Sequence, residues 1–362
     1  MILLGGPRQV GKTTLATSFL TPPGIDHPAY FNWDFVKDRP LISSGELPWQ
    51  EPVIVLDEIH KFARWRGLLK GFFDKFHRKT SLLVTGSAKL DHYRKGGDSM
   101  LGRYRYFRLH PFSLMEMSSN PKATDLDHLM KFGGFPEPLS GSTERELRLW
   151  QLERTSKVVR EDLRDLESVK EISLVELLVE ALPTRVGAPL SIKSLREDLE
   201  VAHETVDRWV GILENLYYCY RIAPFGSPRI KAVKKEQKLY LWDHAQVPND
   251  GGFRFENLVA NQLLKFCHFR QDTQGHRMEL RFIRDVDRHE IDFIVLEERR
   301  PIFAVECKTG EKMVSPSITY FKPRIACPRY FQVHRGTKDY VHTGTGCRVL
   351  PFTTFCHEMK MP

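Results

Sequence analysis

An α/β fold in three successive modules is what this sequence predicts, and three stretches carry the prediction. An apolar run, Ile2-Leu3-Leu4, leads into a glycine-rich loop and then into a helix-forming segment that starts at Lys12. Two more apolar runs, Val53–Leu56 and Ser81–Val84, are short and closed by polar residues, as buried strands of a parallel sheet are. After Lys238 the pattern changes to one helix, "GGFRFENLVANQLLKF", followed by strand-like "MELRFIRD", "EIDFIVLEE" and "PIFAVECKTG", a second α/β module. Between them the chain reads as helical. The boundaries fall at 1–135, 136–238 and 239–362, a division that suits 362 residues when a compact domain holds about 100–200.

Composition narrows the function classes. With 41% hydrophobic and 28% charged residues and no apolar stretch of about 18 residues, the chain is expected to be soluble with no membrane partner. Met1-Ile2-Leu3-Leu4 runs straight into glycines without a basic region or cleavage site, so a cytoplasmic location is expected. The six cysteines are far apart, without a C-x-x-C pair, which fits neither a zinc site nor a disulfide framework. A net charge of +8 favours a polyanionic partner.

The glycine-rich loop carries the most specific chemistry. Gly6-Pro7-Arg8-Gln9-Val10-Gly11-Lys12-Thr13 matches G-x-x-x-x-G-K-[ST] and continues into Thr14. In such a loop successive backbone N–H groups close around phosphates, the lysine reaches the β and γ groups, and the hydroxyl ligates magnesium. ATP and Mg²⁺ are therefore the expected cofactors. A phosphate loop also needs a second acidic strand end, and the run Val53–Leu56 supplies one in Asp57, for the Mg²⁺ shell, and Glu58, for the attacking water. The third strand ends in hydroxyls, and either Thr85 or Ser87 can sense the γ-phosphate.

Further stretches extend the pattern: "GGPRQVGKTT", "YFNWD", "VIVLDEIHKFARW", "LLVTGSAKL", "MLGRYRYFRLHPFSLMEM" and "GGFPEP". In this order they resemble a family of prokaryotic AAA+ ATPases that carry a C-terminal domain long described as of unknown function. The resemblance implies that Arg103 is an arginine finger acting on a neighbouring subunit's nucleotide, hence a homo-oligomer, and that "GGFPEP" opens the lid. "GSA" at Gly86–Ala88 stands where the family usually has "GSS", which removes a hydroxyl. The family also carries a few dozen residues before the loop that help hold adenine; this sequence begins with none, leaving base selectivity unspecified.

In the middle, "GGFPEPLSGST" reads as a loop and boundary, followed by a charged helix through "REDL" at Arg160–Leu163, similar to the family's segment opening its second module. Ser191 is a helix cap for a short helix through Leu199, and after a turn near Val201-Ala202 a second helix runs from Glu204 to Leu216. Val206, Val210, Leu213 and Leu216 face the core in this helix-turn-helix, while His203, Thr205 and Arg208 lie where a recognition helix reads DNA. Arg229, Lys231, Lys234, Lys235 and Lys238 follow as a basic wing, making a winged helix that serves either DNA or a protein partner. A second basic run, Lys61 to Lys79, is interleaved with aromatics at helical spacing and reads as a core-facing amphipathic helix more readily than as a nucleic-acid groove.

In the last module, Asp292 and Glu306 are separated by a thirteen-residue gap, and Glu306 and Lys308, two apart on one strand, share a face. Asp292, Glu306 and the Cys307 carbonyl are expected to hold Mg²⁺, with Glu256 of the preceding helix completing the shell and Lys308 orienting or activating water and offsetting charge on the phosphate. This resembles the PD-(D/E)XK restriction-endonuclease-like fold. Two functions follow: a Mg²⁺-dependent ATPase coupled to a DNA-binding winged helix and a nuclease-like domain, or an ATP-dependent DNA- or protein-binding switch whose nuclease-like domain is inert.

Overall fold

The computed structural model describes residues 1–87, 100, 102–141, 143–162, 171–226, 237–249 and 252–362. Two compact units emerge, one built mainly on Met1–His110 and the other on Pro111–Thr155, Glu171–Glu214 and Tyr218–Pro362. The α/β class expected from the sequence is what the chain adopts: a parallel five-stranded sheet, then helices, then a mixed sheet. Of the residues expected in the basic wing, Arg229, Lys231, Lys234 and Lys235 lie outside the described residues.

In the first unit β1 (Ile2–Gly5), β2 (Tyr30–Asn32), β3 (Val53–Asp57), β4 (Ser81–Gly86) and β5 (Arg105–Arg108) run in the order β2-β3-β4-β1-β5. Every pairing is parallel, which is why the central strands are apolar on both faces. The register sets Gly5 opposite Gly86 and Leu56 opposite Val84, so the loops leaving β1, β3 and β4 open on one edge, where parallel sheets place their ligands. The middle of the basic run forms the helix Trp65–Phe76, whose Trp65, Leu69 and Phe72 are buried and Lys75 exposed; Arg78 and Lys79, past its end, are exposed as well. Phe76 stacks on Trp49 at 3.7 Å, which accounts for the aromatics as packing.

The second unit carries β6 (Cys219–Pro224), β7 (Lys238–Leu241), β8 (Met278–Arg284), β9 (Glu290–Glu297), β10 (Arg300–Cys307), β11 (Tyr330–His334), β12 (Tyr340–Val341) and β13 (Arg348–Pro351). They form one mixed sheet, β12-β13-β11-β10-β9-β8-β6-β7. Against it lies the helix Phe253–Phe269, buried along most of its length. Lys238, placed by the sequence on a solvated wing, is instead a wholly buried residue of β7. Strand alternation explains the difference, because Lys238 and Tyr240 share one face and both turn toward Glu256.

The expected loop after Gly134 also differs: Pro136 begins a short helix, Pro136–Ser140, and Glu144–Lys157 follows. Proline suits a first helical position because its missing N–H would have no partner there. The helix pair appears as Ile192–Leu199 and His203–Asn215, with Val206, Val210 and Leu213 buried and His203 and Arg208 exposed. Ser191 caps the first helix, its hydroxyl accepting from the Ser194 N–H at 3.2 Å. Ser191→Ala is therefore expected to destabilise this pair by about 1 kcal/mol, read as a lower urea midpoint, and an unchanged midpoint would deny the cap any weight. Among the described residues no helix is long and apolar enough to cross a membrane.

Candidate functional sites

The phosphate loop is held in shape by its own backbone and by Lys12. Gln9 and Gly11 both have left-handed φ, 61° and 95°, which coils the loop ahead of the helix Lys12–Thr17. A side chain at Gly6 would collide with the Leu109 carbonyl, so only glycine fits there. Pro7 and Val10 are buried, Arg8 and Gln9 are half-buried, and Thr14 is exposed. Buried Lys12 donates its Nζ to the carbonyls of Gly6 at 3.0 Å and Pro7 at 2.7 Å, inside the curve of the loop. The Gln9 Oε1 is buried without a hydrogen-bond partner.

Asp57, at the end of β3, gathers three hydroxyls. Thr13 donates to its Oδ2 at 2.7 Å, Tyr30 donates to the same oxygen at 3.0 Å, and Thr85 donates to Oδ1. The Thr85 side chain is thus committed to fixing the carboxylate. Burial, and then the charge of Asp57, raise the Tyr30 hydroxyl well above its ordinary pKa, so it remains a donor. Glu58 follows in a left-handed conformation, φ 54°, and accepts from Ser87 at 3.0 Å. Burial would raise Glu58, but His60, Lys12 and Lys61 outweigh it and hold the carboxyl below the ordinary range. Burial lowers His60, 3.6 Å from Glu58. Sequence reasoning singled out neither Tyr30 nor His60 as a site residue; the signal for Tyr30 was its place on the strand beside β3, with Asn32 opposite Asp57. Arg103 is clamped on Asp74, with Nε at 2.7 Å and Nη2 at 3.3 Å.

The C-terminal acids gather around two lysines. On one side Lys308 reaches Glu306 Oε1 at 2.6 Å, and the Cys307 N–H donates to Asp292 Oδ2 at 2.8 Å. Glu306 Oε2 is buried and accepts no hydrogen bond. On the other side buried Lys238 reaches Glu290 at 2.6 Å, Glu256 at 3.1 Å and Asp292 at 3.6 Å, and Tyr240 donates to Glu256 at 2.7 Å. Burial alone would lower Lys238, but Glu256, Asp292 and Glu290 overcome it and raise the ammonium far above its ordinary range. Burial and then Asp292 push Glu256 up to about 7 and Glu306 to about 8. Lys238, Tyr240 and Glu290 were missed as members of this centre, although the i, i+2 spacing of "KLY" within an apolar run was a usable signal. Among the described residues, the acids whose ligand atoms converge within 4.8 Å are instead Asp285 and Asp287 with His289, on the β8–β9 turn.

The raised carboxyl of Glu306 has a pH consequence. Between its ordinary value of 4.5 and about 8 the folded state holds a proton that the unfolded chain has released. Folding stability in EDTA is therefore expected to fall as pH rises through that window, and Glu306→Gln to flatten the fall. Denaturation midpoints across the window check this, and identical pH profiles for both proteins would contradict it.

Residues 1–118 match a family described as an AAA domain, residues 123–248 a domain of unknown function (DUF8612), and residues 251–355 another domain of unknown function (DUF4143). The chain is similar to an uncharacterized protein of Methanocaldococcus jannaschii, 26% identical over 372 aligned positions that cover 86% of this chain and 76% of the relative. It is also similar to an uncharacterized protein of Mycobacterium tuberculosis, 23% identical over 246 positions covering 67% of this chain. That match spans about half of the mycobacterial protein, 54%. A solved structure of the Aeropyrum pernix Orc1 protein in complex with DNA aligns over 73% of this chain and 87% of its own, with 16% identity and a TM-score of 0.33. The N-terminal sheet and its phosphate loop are thus an AAA-type nucleotide-binding domain.

Proposed function

We propose that the chain is a Mg²⁺-dependent ATPase of the AAA+ type whose nucleotide cycle governs a DNA-contacting helix-turn-helix and a nuclease-like C-terminal centre. The observation that carries this reading is the Thr13 hydroxyl on Asp57 Oδ2 at 2.7 Å, beside the phosphate loop. Two hard oxygens at that spacing fit magnesium, which Thr13 and Asp57 would hold and which would neutralise charge on the β and γ phosphates. Backbone N–H groups of the Gly6–Thr14 loop, all but that of Pro7, surround the phosphates, Lys12 turns from the loop carbonyls to them, and Thr85 keeps Asp57 in place. Glu58, ionised and tied to Ser87, orients the attacking water. Arg103 reaches a neighbouring subunit's nucleotide by leaving Asp74.

The net charge of +8 and the exposed His203 and Arg208 support a DNA partner. At the C-terminal centre Asp292, Glu306 and the Cys307 carbonyl would hold a divalent ion, for which the unpartnered Glu306 Oε2 is a fitting ligand, with the Lys308 ammonium beside it to orient water and offset charge developing on the phosphate. A second reading, a regulatory switch with an inert nuclease-like centre, draws support from the Lys238 ammonium already seated among the acids.

ATPase and plasmid-nicking assays on the wild type, Lys308→Ala and Arg103→Ala test both. Lys308→Ala is expected to lose Mg²⁺-dependent nicking by about 10²-fold or more with its ATPase intact. Arg103→Ala is expected to lose ATPase, and the wild-type rate per subunit to rise with concentration. ATP hydrolysis without nicking in the wild type selects the second reading, and a rate flat on dilution removes Arg103 from a neighbour's site.

A further inference from the structure

Lys238 is the most completely buried charged group in the second unit's acidic centre, with none of its surface exposed. Its Nζ lies within 3.6 Å of Glu256 Oε1, Glu290 Oε1 and Asp292 Oδ1. The segment Gly187–Leu190 pairs alongside its strand: the Gly187 N–H donates to the Leu239 carbonyl at 3.1 Å and the Leu190 N–H to the Gln237 carbonyl at 2.8 Å. A side chain at Gly187 would sit 3.2 Å from Glu256 Oε2, so the segment fits closely. The Phe282 ring, 5.6 Å from Nζ, closes another side.

Carboxylates collected out of water repel one another and lose their hydration, and they stay ionised together only around a cation. Here the chain supplies that cation. The ammonium donates to Glu256 Oε1, pairs with Glu290 Oε1 at 2.6 Å and lies 3.6 Å from Asp292 Oδ1, while the Cys307 N–H donates to Asp292 Oδ2. On the other side Glu306 Oε2 has no partner.

We propose that the Lys238 ammonium is the built-in cation of the Glu256 half of this centre, so that Glu256 is a partner of Lys238 rather than a metal ligand and a divalent ion loads only on the Asp292–Glu306 side. This rests on the reading of the acids as a cation-binding centre, and not on cleavage. Lys238 is a positioning residue: it holds Glu256 and Asp292 in place without metal, and removing it opens a place for a further divalent ion.

The test is Mn²⁺ titration by calorimetry, with melting curves in EDTA and in Mn²⁺, on nucleotide-free full-length protein. Lys238→Met is expected to melt lower than the wild type in EDTA, to recover in Mn²⁺, and to bind Mn²⁺ at least about tenfold more tightly. A deficit that Mn²⁺ does not recover, or an affinity no higher than the wild type's, overturns the proposal. Should Lys238→Met not fold in either medium, Glu256→Gln decides: it is expected to leave Mn²⁺ affinity within about threefold while Asp292→Asn abolishes binding, and equal losses in the two variants overturn the proposal. The two readings fail separately. Absent nicking with these metal results rejects cleavage alone, whereas nicking in a wild type whose Lys238→Met variant gains no Mn²⁺ affinity rejects the built-in cation alone.

Discussion

Lys12→Ala is expected to lower ATPase kcat/KM by about 10²–10³-fold, equivalent to about 3–4 kcal/mol, and to remove measurable MgATP binding. The ammonium is buried within the loop and already hydrogen-bonded to the Gly6 and Pro7 carbonyls, so it meets incoming phosphate without being drawn in from solvent. Glu58→Gln provides the contrast. It keeps the shape and the Ser87 hydrogen bond but loses the charge that orients water, so MgATP binding persists while turnover falls by about 10²–10⁴-fold. Calorimetry with MgATP and steady-state ATPase rates separate the two variants. MgATP binding by Lys12→Ala at wild-type strength would end the assignment of this loop.

Phe303→Ala is expected to cost the second unit about 3–5 kcal/mol, read as a lower denaturant midpoint. Phe303 is fully buried on β10, with Phe266, Phe331 and Phe355 ring centres 6.1, 6.1 and 6.0 Å away. No small movement refills a hole among three aromatic rings. Because Glu306 and Lys308 follow on the same strand and its continuation, the loss should also disturb the acidic centre, and the variant's Mn²⁺ affinity should fall with its stability. A cost below about 1 kcal/mol would mean that the strand is held by something other than this cluster.

What the sequence determined by itself is local. A phosphate loop needs consecutive residues with unusual backbone angles ahead of a helix, so Gly6 to Thr14 announce it in order. An apolar strand closed by carboxylates is equally contiguous, which made Asp57 and Glu58 legible. The caps and the buried faces of the helix pair follow from spacing along one element, and Ser191, Val206 and Val210 were readable for that reason. Tertiary structure alone decided which side chains meet across elements. Thr85 donates to Asp57 because β3 and β4 are neighbours in the sheet, and Arg103 rests on Asp74 because the helix Trp65–Phe76 passes it. Lys238 shows the physical reason most plainly. In a charged stretch it reads as one more solvated cation, because sequence gives the sign of a charge but not its surroundings. Only the pairing of β7 with β6, and the packing of the helix Phe253–Phe269, take it out of water and set it among Glu256, Glu290 and Asp292.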